Sequence, residues 1–179
     1  MVLKLQTEHL AAIRDHAAAD YPAECCGILL GQADGESKEV AETLPLPNLR
    51  RDQERAQEFV PLRDPGRESE LNRYLIDPRQ QLEAEKQARA RGLAAIGYYH
   101  SHPDHPARPS EYDREHAWPW YSYVIVSVAA GRAQEVQSWV LADDRSRFEP
   151  ERLELCDRSR AEAALGVGER SGGRVAPEG

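Results

Sequence analysis

The sequence predicts one α/β domain built around a mixed, mostly antiparallel β-sheet that is flanked by helices. Segments with a helical repeat of apolar residues alternate, in mixed order, with short apolar runs typical of buried strands. The chain has 179 residues, which suits a single domain, and 40% of them are hydrophobic, which is enough for a core. We assign the domain to residues 1–154 and expect the small, polar and glycine-rich residues 155–179 to form a disordered tail.

Three segments have the pattern of helices. Residues 7–20 carry an apolar stripe at helical spacing, with Thr7 as the expected N-cap. A second helix is expected to begin at Asp77, an N-cap followed by proline, and to end before Gly92. Ser110 is expected to be the N-cap of a third, short helix.

Short runs bounded by turn residues predict the strands of the sheet. The stretch at 45–73 is polar and rich in proline, arginine and glutamate, and it predicts a long loop or insertion interrupted by one short strand at Phe59–Val60. The predicted strands outside this stretch are residues 25–31, 37–44, 93–99, 121–128 and 136–142.

The composition disfavours several classes of protein. The formal net charge is −8 and there is no block of lysine and arginine, so we expect neither nucleic acid nor an anionic membrane as a partner. No apolar run is long enough for a transmembrane helix, and the N-terminus becomes charged too early for a signal peptide. The odd count of three cysteines fits a reducing compartment. We therefore expect a soluble cytoplasmic protein.

The chemically most informative segment runs from His100 to Asp113. Side chains at i and i+2 of an extended chain point to the same face, so His100 and His102 can bind one ion together. Asp113 lies in the first turn of the third predicted helix and adds a carboxylate to the two imidazoles. This set suits one Zn²⁺ per chain and leaves a fourth position open for water, which is typical of a catalytic site.

Two further residues meet the needs of hydrolysis. A zinc hydrolase requires a base for the water and a donor for the charge that develops on the substrate oxygen. Glu24, at the start of the CCGILLG run, is the candidate base, and Ser110 is the candidate donor. Taken singly, each has an ordinary alternative: a charge before a strand is usually solvated, and a serine before a helix is often only an N-cap.

Two residue pairs near the motif are expected to have packing roles. Cys25 and Cys26 lie in an apolar run, and alternation sends one inward and the other outward. Trp118 and Trp120 are expected to pack under the edge of the sheet, with binding of a partner's tail as the alternative.

The combined pattern resembles the signature of the JAMM (MPN+) zinc metalloproteases, E…H-S/T-H-P-x6-S-x-x-D. Glu24, the HSHP segment at 100–103, Ser110 and Asp113 match it at every position, and the likeness extends over roughly residues 3–142. The resemblance implies a cytidine-deaminase-like layout. It also implies that the two histidines and Asp113 bind zinc, that Glu24 is the general base and that Ser110 stabilises the oxyanion.

Short prokaryotic members of the family act on ubiquitin-like sulfur-carrier proteins, and the lean sequence is similar to theirs. The resemblance thus implies hydrolysis of the amide bond after the C-terminal Gly-Gly of such a protein, by amino-acid removal, processing or deconjugation. One alternative is a non-catalytic MPN-like scaffold that binds partner proteins, although such relatives usually lack a metal ligand. Another is a zinc peptidase of unrelated peptide substrate. The family includes monomers and homodimers, and the sequence does not decide between them.

Overall fold

The structure, a computed structural model, describes residues 1–59 and 71–157. The strands of this part are β1 (Val2–Gln6), β2 (Cys26–Ala33), β3 (Ser37–Leu46), β4 (Ala94–Pro103), β5 (Ser122–Ala129), β6 (Arg132–Leu141) and β7 (Phe148–Cys156). The helices are α1 (Thr7–Asp20), α2 (Gln53–Phe59), α3 (Pro78–Ala90) and α4 (Glu111–His116), with one 3₁₀ turn at Leu49–Arg51. Among these helices, none has the length and apolar character needed to cross a bilayer.

The seven strands of the described chain form a closed barrel in the order β1-β3-β2-β4-β5-β6-β7. β1 runs parallel to both β3 and β7, and β4 runs parallel to β5. The other four pairs are antiparallel. The sheet is therefore mixed, as predicted. The expectation of a mostly antiparallel sheet was too strong, because three of its seven pairs are parallel, and the closure was not predicted.

Two strands that close the barrel, β1 and β7, are absent from the sequence-based prediction. They pair with each other from opposite ends of the chain, with Val2 beside Arg152. Charged residues interrupt both segments, so the local sequence carries little strand signal. β7 continues to Cys156, two residues beyond the predicted end of the domain. Residues 158–179 of the predicted tail lie outside the described residues.

The segment between β3 and α3 contains more regular structure than the predicted loop at 45–73. A 3₁₀ turn and α2 occupy much of its first half. The Asp52 carboxylate accepts a hydrogen bond from the Arg55 main-chain N–H at 3.2 Å, which favours the first turn of α2. Phe59 is the last residue of this helix, so the strand predicted there is wrong, and its second residue, Val60, lies outside the described residues.

Two of the three predicted N-caps are confirmed. The Asp77 carboxylate accepts from the main-chain N–H two residues later at 2.9 Å, and the Ser110 hydroxyl accepts from that of Asp113 at 3.2 Å. Thr7 is not an N-cap, because α1 begins at Thr7 itself and continues directly from β1. Its hydroxyl donates instead to the Cys156 carbonyl oxygen of β7, at 3.4 Å.

Helices pack on both faces of the sheet at β2. Cys25 belongs to the core cluster that contains Ile13 of α1. Cys26 belongs to a second cluster, which contains Ala84 and Ala88 of α3. Both cysteines are fully buried, so the prediction that they pack in the core is confirmed. Alternation puts them in different clusters, but neither faces outward, because helices cover the sheet on both sides. This packing places the start of β2, and with it Glu24, beside the end of β4.

Candidate metal centre

Three side chains with metal-binding atoms converge at the C-terminal end of β4. The Nε2 atoms of His100 and His102 lie 3.0 Å apart. Each lies 3.5 Å from a carboxylate oxygen of Asp113, His100 from Oδ1 and His102 from Oδ2. All three residues are buried, and one ligand atom of each lies within 4.8 Å of the others. The structure thus brings together the three residues predicted from the sequence to be metal ligands.

The histidines are held in place because β4 is hydrogen-bonded to a neighbouring strand on each side. His100 pairs with Cys26 of β2 on one side and with Ile125 of β5 on the other. β4 continues to Pro103, whereas the predicted strand ended at Tyr99, so both histidines are strand residues. Their i, i+2 spacing puts the two imidazoles on one face, as expected for extended chain.

Asp113 is positioned by the capping box of α4. The Ser110 main-chain N–H and hydroxyl both donate to Asp113 Oδ2, at 2.6 and 2.7 Å. In return, the Ser110 Oγ accepts the Asp113 N–H. These three bonds leave Oδ1 facing His100, and they orient the carboxylate toward the two imidazoles.

The imidazole rings are held by different neighbours. His102 Nδ1 lies 3.1 Å from the Pro106 carbonyl oxygen, so its N–H donates there and the Nε2 lone pair is left for a metal. The ring of His100 stacks on Tyr74, with centroids 4.5 Å apart and planes 25° apart. Within the described residues, His100 Nδ1 is a buried atom with no hydrogen-bond partner.

The pKa values of the three residues depend on their burial and on one another. Burial lowers the pKa of His100. At His102 burial also acts to lower the pKa, but the hydrogen bond and charge of Asp113, together with Glu24 and the Pro106 carbonyl, outweigh it and the pKa is raised. Burial alone would raise the pKa of Asp113, yet the two histidines together hold it well below its ordinary value. The buried Asp113 carboxylate is therefore kept ionised beside two imidazoles, and such a donor set suits a divalent cation.

Glu24 lies two residues before the start of β2 and is only 6% exposed. Burial raises the pKa of its carboxyl to about 8; His102 opposes this rise and Asp113 adds to it. Strand pairing places this part of the chain near the ligands, because Cys26, two residues after Glu24, pairs with His100. The solvated carboxylate, the ordinary alternative for this position, is therefore wrong.

A cleft of about 190 Å³ opens beside Asp113, between α3, α4 and β4. Its lining is mainly aromatic. One tyrosine hydroxyl of the lining, that of Tyr98, accepts a hydrogen bond from Gln81 Nε2 at 2.9 Å. Trp118 is 65% exposed at its mouth, so it does not pack under the sheet edge, and Trp120 is 42% exposed. The aromatic lining consists of Tyr74, Tyr98, Tyr112, His116, Trp118 and Tyr123.

Tyr74, Arg50 and Asn48 were not predicted to be site residues, although all three touch this region. Tyr74 contacts His100, and Arg50 Nη2 donates to the Tyr112 hydroxyl at 2.8 Å. Asn48 bonds the main chain of Glu24. Asn48 and Arg50 lie in the segment predicted to be a loop and Tyr74 directly follows it, and no periodic pattern there marks a buried residue.

Comparison with known proteins identifies the family. Residues 6–142 match the family of prokaryotic homologs of the JAB domain. The chain belongs to this family. The resemblance to the JAMM metalloproteases is thereby confirmed, and the match includes all five predicted site residues. β1 up to Leu5 and the whole of β7 lie outside the matched JAB-domain residues.

Several JAB-domain relatives have names that describe an activity. The chain is 34% identical over 119 residues to the desampylase of Haloferax volcanii, covering 66% of this chain and 72% of that protein. It is 32% identical over 133 residues to a probable TtuB-protein conjugate cleaving protease of Thermus thermophilus, covering 74% and 75%. It is 27% identical over 150 residues to the CysO-cysteine peptidase of Mycobacterium tuberculosis, covering 83% and 89%.

Two solved structures share the fold. A solution structure of a Desulfitobacterium hafniense protein matches with a TM-score of 0.69 and 30% identity, covering 88% of this chain and 94% of that one. A solution structure of a Salinibacter ruber protein matches with a TM-score of 0.61 and 36% identity, covering 88% and 93%. Both matches support the single α/β domain.

Proposed function

We propose that this JAB-domain protein is a zinc-dependent peptidase that hydrolyses the amide bond after the C-terminal Gly-Gly of a ubiquitin-like or sulfur-carrier protein. The observation that carries the proposal is the convergence of His100, His102 and Asp113 at the end of β4, the strand end beside which the buried Glu24 lies. The names of the three relatives, a desampylase, a conjugate cleaving protease and a CysO-cysteine peptidase, support cleavage of such conjugates.

The donor set fits zinc. Imidazole nitrogen and carboxylate oxygen are ordinary zinc ligands, and three protein ligands with one open position are typical of catalytic sites. The bond from His102 Nδ1 to the Pro106 carbonyl oxygen is the kind of contact that orients a zinc-binding imidazole. One Zn²⁺ per chain at this site would polarise the scissile carbonyl and make the attacking water more acidic.

Glu24 moves the proton. Its carboxylate takes a proton from the attacking water and later gives it to the leaving amine. Burial raises the pKa of this group to about 8, which makes the carboxylate a stronger base than an exposed glutamate. A catalytic base is most effective when its pKa lies near the working pH.

Ser110 acts in two ways at the same carboxylate oxygen. Its hydroxyl donates to Asp113 Oδ2, and so does its main-chain N–H at 2.6 Å. The N–H can therefore hold the carboxylate while the hydroxyl turns to the substrate. In the proposed reaction the hydroxyl donates to the oxygen that becomes negatively charged on the scissile carbonyl.

The aromatic cleft beside Asp113 supplies a wall for the substrate chain. Glycine has no side chain, so a Gly-Gly end can bring its main chain close to a buried centre. We place the activity in the cytoplasm, because all three cysteines are free thiols in the structure. We propose neither nucleic acid nor a membrane as a partner. The proposed enzyme acts as a monomer or a homodimer.

The test is intact-mass spectrometry of a cleavage reaction. One substrate is a bacterial sulfur-carrier protein extended beyond its Gly-Gly by a single cysteine, and another carries a short peptide there. We expect a mass loss at the Gly-Gly boundary with zinc-loaded enzyme and none after chelator treatment. No loss from either substrate, with one zinc bound per chain, would contradict the proposal. Cleavage of unrelated peptides instead would favour a peptidase of different substrate.

A further inference from the structure

A buried asparagine ties together three chain segments that meet at the metal centre. Asn48 is 2% exposed. Its Nδ2 donates to the carbonyl oxygens of Glu24 and Arg73, both at 3.0 Å. Its Oδ1 accepts from the main-chain N–H groups of Arg50 at 3.0 Å and Leu75 at 3.1 Å. One side-chain amide thus satisfies four main-chain groups and leaves neither of its own donors unused.

Each of the three segments carries a side chain of the site. The first carries Glu24 itself. The second carries Tyr74, whose ring stacks on His100. The third carries Arg50, whose guanidinium donates to the hydroxyl of Tyr112, the residue before Asp113. None of the residues bonded by Asn48 lies in a β-strand or an α-helix. Two main-chain bonds join neighbouring residues: the Ser101 N–H donates to the Cys25 carbonyl oxygen at 3.2 Å, and the Leu49 N–H donates to the Leu75 carbonyl oxygen at 2.8 Å. The Asn48 side chain adds bonds to all three segments at once.

We propose that Asn48 is a positioning residue for the hydrolytic reaction, one that holds the Glu24 carboxyl and the Tyr74 ring in place against the metal centre. The inference rests on the proposed function, because it gives Glu24 the role of base. An amide side chain suits this role, since an aspartate of the same size lacks both donors and alanine lacks all four contacts.

The four hydrogen bonds of the Asn48 side chain form what we call the Asn48 clamp. The metal ligands are held by other contacts. His100 and His102 belong to β4, which is paired on both sides. Asp113 is held by the capping box of α4. A substitution at Asn48 should therefore separate two properties that a general loss of structure would change together, turnover and zinc binding.

The first test is kinetic and uses Asn48→Asp. The change keeps the size and the acceptor but turns an oxygen toward the carbonyls of Glu24 and Arg73. Misplacement of a catalytic group by about 1 Å costs about 10²-fold, so we expect a loss of this order in kcat. KM and zinc affinity should stay close to those of the unchanged protein. Wild-type kcat in the folded, zinc-loaded variant would overturn the inference.

Ser138→Ala is the matched control. Ser138 is buried on β6 and donates to Glu151 Oε2 at 2.7 Å, away from the site. The variant also loses a buried hydrogen bond and some stability, but it should keep its kcat. If both variants lose kcat in proportion to their loss of stability, Asn48 has only a structural role.

A second test needs no activity. In Asn48→Asp, amide hydrogen exchange measured by mass spectrometry should become faster in peptides covering residues 22–27 and 71–77. It should stay slow in β4 and β5, with zinc and without it. Unchanged exchange in the two clamped segments, or a uniform rise across the barrel, would overturn the inference. Because this readout is independent of cleavage, it also decides the case in which the proposed function fails.

A double variant asks whether Asn48 acts through Glu24. In a Glu24→Gln background, studied with enzyme in excess, Asn48→Asp should reduce the residual rate much less than it does in the unchanged protein. An equal loss in both backgrounds would contradict an action through Glu24. Full activity of Glu24→Gln alone would instead refute the role of Glu24 in the proposed function. If the residual rate is too small to measure, hydrogen exchange and the Ser138→Ala control decide.

Discussion

Replacing Ser110 with alanine tests how the metal centre is held. The Ser110 hydroxyl accepts the Asp113 N–H at 3.2 Å and donates to Asp113 Oδ2 at 2.7 Å. Alanine removes both bonds. The main-chain N–H of residue 110 still donates to Oδ2, so the carboxylate keeps one of its two contacts from this residue. We therefore expect Asp113 to stay in place but with more freedom to rotate.

The expected magnitudes follow from these contacts. Loss of an N-cap costs about 1 kcal/mol. In a chain of this size, that corresponds to a fall in Tm of about 2–4 °C. Loss of a contact that orients a metal ligand lowers metal affinity by about 10–100-fold, and we expect the lower end because one contact remains. If the hydroxyl also donates to the oxyanion, kcat at saturating zinc falls by about 10²–10³.

Three measurements separate these effects: thermal unfolding, zinc titration against a competing chelator, and kcat at saturating zinc. Ser110→Thr is the control, since it keeps the hydroxyl and should retain all three properties. Wild-type zinc affinity in Ser110→Ala would refute the reasoning that the hydroxyl orients Asp113. A fully zinc-loaded Ser110→Ala with unchanged kcat would show that the hydroxyl only caps α4 and holds the ligand.

Three further predictions concern the base, the barrel and the thiols. Glu24→Gln should bind zinc normally by calorimetry yet lose about 10²–10⁴ in kcat, and retained turnover would exclude it as the base. Gly27→Ala should lower the free energy of unfolding in urea by about 1–3 kcal/mol, because the new Cβ meets the Tyr99 ring; an unchanged midpoint would count against this packing. Burial raises the pKa of Cys25 to about 12, so a thiol reagent at about pH 8 should label only Cys156 in the folded chain and all three cysteines in urea. Labelling of a second thiol without denaturant would contradict the buried core.

Most of the secondary structure could be predicted because it depends on local patterns. The helices α1 and α3 and the strands β2 to β6 carry their own apolar periodicity and turn residues. The segment at 47–59 could not be predicted in the same way. Its burial comes from contacts such as those of Asn48 with Glu24 and Arg73, which lie far from it in sequence. Local composition there indicates only a polar loop.

His100, His102 and Asp113 could be chosen as candidate ligands from the sequence alone. Alternation along a strand puts the side chains of residues i and i+2 on one face. A short loop then allows the next helix, with Asp113, to return to that face. The family resemblance had the same origin, in the spacing of a few residues. Their roles in catalysis remain predictions.

Other properties were decided only by the tertiary structure. Closure of the barrel requires β1 and β7, which pair from opposite ends of the chain. The burial that raises the pKa of Glu24, and the clamp at Asn48, exist only once distant segments have packed around them. The physical reason is that the type of a ligand and the local periodicity depend on residues close together in the sequence. The burial and orientation of the site's side chains depend on contacts between residues far apart in the sequence.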